Sequence, residues 1–163
     1  MSEKGKTFNT VVVEKNIPAI MRDGTTLRSD VYRPDTPGKY PTLLLRTPYD
    51  KSRDGTETET FIEMGNKFAE RGYTVVIQDV RGRYSSDGEF RPNFYCPVHF
   101  DSDDGYDAVE WAARLPWSTG KVGTFGHSYM GWVQWELAHT RPPHLVTMIP
   151  GCISANLLDR EMS

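Results

Sequence analysis

Two short apolar runs, Leu43-Leu44-Leu45 and Val75-Val76-Ile77, limit the fold of this chain more than any other feature. Successive side chains of a strand point to opposite faces, so three apolar residues in a row suit a strand covered on both sides. Strands of that kind belong to mostly parallel sheets. Between the two runs the spacing predicts a helix. Thr60 and Glu63 form a capping box, Phe61, Met64 and Phe68 fall on one face, and Gly72 stands where a C-terminal cap belongs.

The remaining segments extend the alternation. Residues 10–14 are rich in β-branched side chains and predict a first strand, Asp23-Gly24 a hairpin turn, and residues 26–32 the returning strand. Strands are expected over 41–46 and 73–79, followed by a long polar loop over 81–103. A second helix presents Ala108, Trp111, Ala112 and Leu115 and ends at Pro116, with Asp103 and Asp104 suiting its positive end. Then come a strand over 121–125, a turn over 126–131, a helix over 132–140 stopped by Arg141-Pro142-Pro143, and a last strand over 146–149. This succession predicts an α/β fold: a doubly wound, mostly parallel sheet entered through an antiparallel edge.

Composition excludes several classes. The 163 residues fit one domain, and no apolar stretch approaches the ~20 residues of a membrane helix. The opening MSEKGKTFNT has no apolar h-region, so the cytoplasm is the default location. A net charge of −3 with interspersed signs leaves no basic footprint for nucleic acid. Cys96 and Cys152 suit neither a zinc site nor a disulfide framework and are expected as buried or incidental thiols. Asp101-Ser102-Asp103-Asp104-Gly105 departs from a calcium loop, because Tyr106 and Ala112 occupy its glycine and glutamate positions, and helix capping is the expected role. Arg81 and Arg83 give the 81–90 loop the charge to hold an anion, although a solvated or internally paired loop is the simpler expectation. Gly120, Gly123 and Gly126 do not match G-x-G-x-x-G, which disfavours a nucleotide site.

The chemistry concentrates in Gly126-His127-Ser128-Tyr129-Met130-Gly131, between a predicted strand and a predicted helix. A nucleophile elbow requires that context, since the serine must stand on a sharp turn above a helix N-terminus. A serine capping an ordinary turn is the competing reading. The generic pattern has glycine two residues after the serine, whereas here Met130 precedes Gly131.

Several segments flank this turn in a characteristic order. They are Met21-Arg22-Asp23-Gly24 with Asp30-Val31-Tyr32-Arg33-Pro34, then Arg46-Thr47-Pro48-Tyr49-Asp50-Lys51, and Gln78-Asp79-Val80-Arg81-Gly82-Arg83. Asp104-Gly105-Tyr106-Asp107 with Glu110-Trp111, Pro116-Trp117, Lys121-Val122-Gly123 and Gln134-Trp135 complete the set. From about Ile17 onward the chain resembles the CocE/NonD-type α/β-hydrolases, the cocaine esterase and Xaa-Pro dipeptidyl-peptidase (S15) group. The resemblance implies a serine hydrolase that uses neither metal nor organic cofactor, with Ser128 as nucleophile.

An acyl-transfer serine needs donors aimed at the developing oxyanion. One is normally the backbone N–H of the next residue, here Tyr129. The loop after the third strand lacks the HGGG run of lipases, and the resemblance implies that the Tyr49 hydroxyl supplies the second donor. A base and an acid are harder to find. Among the histidines after Ser128, His139 lies far down the following helix and His144 at the opposite end of the sheet. His127 adjoins the serine but is directed away, leaving His99 as an outside candidate. Asp159 is a candidate acid. The resemblance implies that both come from later segments, followed by a cap and a C-terminal β-sandwich. The expectation is therefore the N-terminal part of one catalytic domain, truncated after about the sixth strand. Its substrate is a small-molecule ester or amide, and its exposed sheet edge is open to self-association. A non-catalytic fragment and, in the full-length form, Xaa-Pro dipeptidyl-peptidase activity are the alternatives.

Overall fold

In the computed structural model, which describes residues 7–8, 10–53, 60–91 and 100–153, the two apolar runs lie side by side. β3 (Tyr40–Thr47) pairs parallel with β4 (Thr74–Asp79), setting Leu43, Leu44 and Leu45 opposite Val75, Val76 and Ile77. On one face Leu45, Val75 and Ile77 pack with Tyr32 and with Phe61, Met64 and Phe68 of α1 (Phe61–Ala69). On the other, Leu44 and Val76 meet Ala108, Val109 and Ala112 of α2 (Phe100–Ala113) and Leu137 of α3 (Tyr129–Ala138). Burial of each such side chain contributes about 1.5–3 kcal/mol, which is why both faces carry helices.

The capping box at Thr60 and Glu63 is present in both directions. Gly72 takes φ +86 just past α1, where its N–H donates to the Ala69 carbonyl.

β1 (Val11–Ile20) and β2 (Thr26–Pro34) form the antiparallel hairpin turned at Asp23-Gly24. The first strand runs six residues beyond the expected 10–14 because a bulge between Glu14 and Ile17 interrupts its alternation. Within that bulge Asn16 has φ 55, and its N–H donates to Asp30 Oδ1 at 2.9 Å. β5 (Ser118–His127) and β6 (Leu145–Gly151) complete a six-stranded sheet ordered β1-β2-β4-β3-β5-β6. β4, β3, β5 and β6 are mutually parallel, and β2 meets β4 antiparallel. The fold is thus the doubly wound α/β-hydrolase arrangement entered through a hairpin.

Two helix starts also differ from expectation. α3 begins at Tyr129 rather than at residue 132, since Ser128 itself serves as the residue before the helix. α2 begins at Phe100, which puts Asp101 and Asp103 in its first turn, at the positive end as expected, while Asp101 and Asp104 also hold buried arginines.

Candidate active site

Three loops leave the carboxyl ends of adjacent parallel strands, where open α/β sheets place their sites. Residues 48–53 follow β3, residues 80–91 follow β4, and Ser128 follows β5. Ser128 is exposed and adopts φ 56, ψ −127, a region costly for any residue with a side chain.

Close packing dictates the glycines around this turn. A Cβ on Gly126 would lie 2.6 Å from Met130 Cβ, and one on Gly131 would lie 2.8 Å from the Gly151 carbonyl oxygen. The displaced second glycine therefore has a cause: α3 crosses the end of β6 at position 131, while Met130 lies beneath the turn.

Further bonds hold the turn. The Ser128 N–H donates to the Gly151 carbonyl at 3.0 Å, and its own carbonyl accepts from Gly131 and Trp132. Gln134 is buried behind it. Its Nε2 donates to the Gly126, Met130 and Ile149 carbonyls, and its Oε1 accepts from Thr124 Oγ1 and the Ile149 N–H. One amide thus ties β5, α3 and β6 together at the serine. Nothing in the local pattern marked Gln134 for this role beyond its place in the motif Gln134-Trp135.

Tyr129 opens α3, whose first N–H groups carry the positive end of the helix dipole. Its buried hydroxyl donates to Asp101 Oδ2 at 3.0 Å, and burial beside that carboxylate raises the phenol's pKa, so it stays protonated. Asp101 is itself pushed up by burial, against the opposing pull of Arg46 and of the Tyr129 hydroxyl. Arg46, 2% exposed, donates to the Asp101 carbonyl and carboxylate and to Gln78 Oε1.

Tyr49 is 39% exposed and stands at the end of the strand next to that of Ser128. Its loop is anchored at several points. The Tyr49 N–H donates to Thr47 Oγ1, the Pro48 carbonyl accepts from Arg83 Nε, and the Lys51 N–H donates to Asp79 Oδ1. The Lys51 ammonium is fully buried, 2.7 Å from Asn16 Oδ1 and 3.3 Å from Asp30 Oδ1. Periodicity gave no sign that Arg46, Lys51 and Asp101 would be interior charges.

Of the other candidates, His127 is exposed and His139 ends α3. His144 pairs with Glu110 at 2.8 Å at the opposite end of the sheet. No described histidine is hydrogen-bonded to Ser128. His99, Asp159 and Cys96 lie outside the described residues. Cys152 is a free, exposed thiol, the incidental rather than the buried of the two expected alternatives. Among the described residues no group of His, Cys, Asp and Glu is arranged to hold a metal ion, and no helix is long and apolar enough to cross a membrane.

Residues 23–162 match the family model described as X-Pro dipeptidyl-peptidase (S15 family). The chain is 40% identical to a cocaine esterase of Rhodococcus sp. (strain MB1 Bresler) over 149 residues, covering 89% of this chain and 24% of the relative. Among solved structures it resembles a CocE/NonD family hydrolase from Staphylococcus aureus, with TM-score 0.76, 32% identity, and coverage of 86% of this chain and 27% of that one. It also resembles an aminopeptidase from a marine sediment archaeon, Thaumarchaeota archaeon, with TM-score 0.71, 27% identity, and coverage of 92% and 26%. The chain thus spans about a quarter of the length of each of these proteins.

Proposed function

The chain belongs to the X-Pro dipeptidyl-peptidase (S15) family, and on that premise we propose that it is the nucleophile-bearing part of a serine hydrolase acting on ester or amide bonds. The observation that carries the reading is Ser128 itself, an exposed residue held at φ 56, ψ −127 between β5 and α3. Backbone strain of that kind persists only where the surroundings over-determine it, as Gly126, Gly131 and Gln134 do here.

Ser128 Oγ attacks the acyl carbon while a base takes its proton. The carbonyl oxygen gains the negative charge and is received by the Tyr129 N–H and the Tyr49 O–H. Collapse of the tetrahedral intermediate expels the leaving group with that proton, and water then releases the acyl group by the same route reversed. The histidine base and its carboxylate come, in this proposal, from the part of such proteins that the present chain does not match. One observation favours a non-catalytic alternative: no described histidine bonds to Ser128.

Hydrolysis of p-nitrophenyl acetate by the intact protein separates the two readings. Ser128→Ala should abolish turnover, and Tyr49→Phe should lower kcat roughly 10²–10³-fold, as loss of one oxyanion donor does. Turnover unchanged in Ser128→Ala would overturn the proposal.

A further inference from the structure

Around the carboxyl ends of β3 and β4 the cations are matched by carboxylates. Arg46 meets Asp101 and Asp104, Lys51 meets Asp30 and Asp79, and Arg81 meets Asp104 and Asp23. Arg81 is thus internally paired, one of the two readings the sequence left open for this loop. Arg83, two residues on, is the exception.

Among the described residues the Arg83 guanidinium forms no ion pair, and its contacts are with neutral groups. Its Nε donates to the Pro48 carbonyl at 3.0 Å, Nη2 lies a long 3.5 Å from the Tyr84 hydroxyl, and the rings of Tyr84 and Phe90 flank it at 5.0 Å each. A guanidinium carries five donors in a planar fork that suits a carboxylate, so most of its bonding capacity remains unused. The residue is half-buried, and aromatic faces that limit water strengthen any charged bond formed there. Tyr84 has an exposed ring and φ 47, a left-handed backbone that is uncommon outside glycine.

Location relates this cation to the proposed chemistry. Pro48 immediately precedes Tyr49, and the Phe90 ring lies 6.0 Å from that of Tyr129. Arg83 therefore touches the loop that carries Tyr49 and, through the Phe90 ring, connects to the Tyr129 side chain.

We propose that Arg83 is a specificity-determining residue that binds a carboxylate carried by the substrate, so that the site favours acidic esters or amides over their neutral counterparts. This rests on the hydrolase reading of Ser128, and its test is a ratio that cancels general loss of activity. On the intact protein, kcat/KM is compared for p-nitrophenyl hemiglutarate against its methyl-capped ester, which places the carboxylate on the acyl side. The pair 4-acetoxybenzoate and methyl 4-acetoxybenzoate places it on the leaving group. In at least one pair the wild type should favour the anion, and Arg83→Gln should reduce that preference roughly ten- to hundredfold, with Arg83→Lys retaining part of it. Equal ratios in wild type and Arg83→Gln for both pairs would overturn the proposal.

A second arm needs no turnover. Calorimetry on Ser128→Ala should show monoethyl glutarate binding at least about tenfold more tightly than diethyl glutarate, a difference that Arg83→Gln erases. Equal affinities in the Ser128→Ala protein would overturn the anion site. Failure of the nucleophile reading is recognised separately, as hydrolysis that survives Ser128→Ala.

Discussion

The Tyr129 hydroxyl donates to Asp101 Oδ2 at 3.0 Å, fastening the residue after the serine turn to the first turn of α2. The bond is buried, so its loss leaves a carboxylate oxygen short of a donor away from water. Tyr129→Phe is expected to lower unfolding stability by about 1–3 kcal/mol in urea denaturation, with the fold retained. No measurable change would show that the bond does not hold the turn.

Lys51 carries the heaviest electrostatic burden near Tyr49. Its side chain and those of Asp30 and Asp79 are each at most 1% exposed. Lys51→Met removes the cation and leaves two interior carboxylates, at a cost of about 3–5 kcal/mol. Guanidinium chloride unfolding measures the loss, and Lys51→Met combined with Asp30→Asn should recover part of it. Recovery is expected because the double variant buries one charge fewer.

Asp23 provides a pH signature. Its hydrogen bonds from Arg81 and from the Thr25 N–H hold its pKa down to about 2. A carboxylate depressed in the folded state stabilises it above the unfolded pKa of about 3.9, and that contribution disappears as pH falls towards 2. The melting-temperature difference between wild type and Asp23→Asn should be constant from about pH 5 to 8 and shrink below about pH 4. Because the side chain is 43% exposed, added salt should also diminish the difference. A gap that widens on acidification would contradict the assignment.

β6 pairs with β5 on one side, and among the described residues no strand pairs with its other side. Val146 and Ile149 are 59% and 64% exposed on it. We propose that the 163-residue chain self-associates through this edge, since open backbone groups beside apolar side chains template further pairing. Light scattering should show a mass that rises with concentration and falls in Ile149→Lys. Without the segments proposed to carry the histidine base, the same chain should show negligible ester turnover, since Ser128 then keeps only the residual effect of the oxyanion donors.

Legibility in the sequence followed the range of the interactions. Leu43 to Leu45 and Val75 to Ile77 announced themselves because burial on both faces leaves a local, unbroken apolar run. The capping box at Thr60 and the turn at Ser128 were legible for the same reason, each being complete within a few residues. The bulge at Asn16 was not, because an extra residue breaks the period that identifies a strand. Nor were the interior charges. Arg46 meets Asp101 across 55 residues and Lys51 meets Asn16 across 35, and no pattern along the chain records such pairings. Gln134 was equally hidden, as its five bonds reach three different elements.

The claim that Ser128 forms the acyl-enzyme is tested most directly by trapping that species. The intact protein is mixed with p-nitrophenyl acetate, quenched in acid during the first turnover and digested, and the peptides are weighed by mass spectrometry. The expected result is one acetyl group on the peptide containing Ser128, absent from the Ser128→Ala protein, which should also fail to release p-nitrophenol above background. An acetyl group found on another residue, or steady release by Ser128→Ala, would contradict the assignment of this serine as the nucleophile.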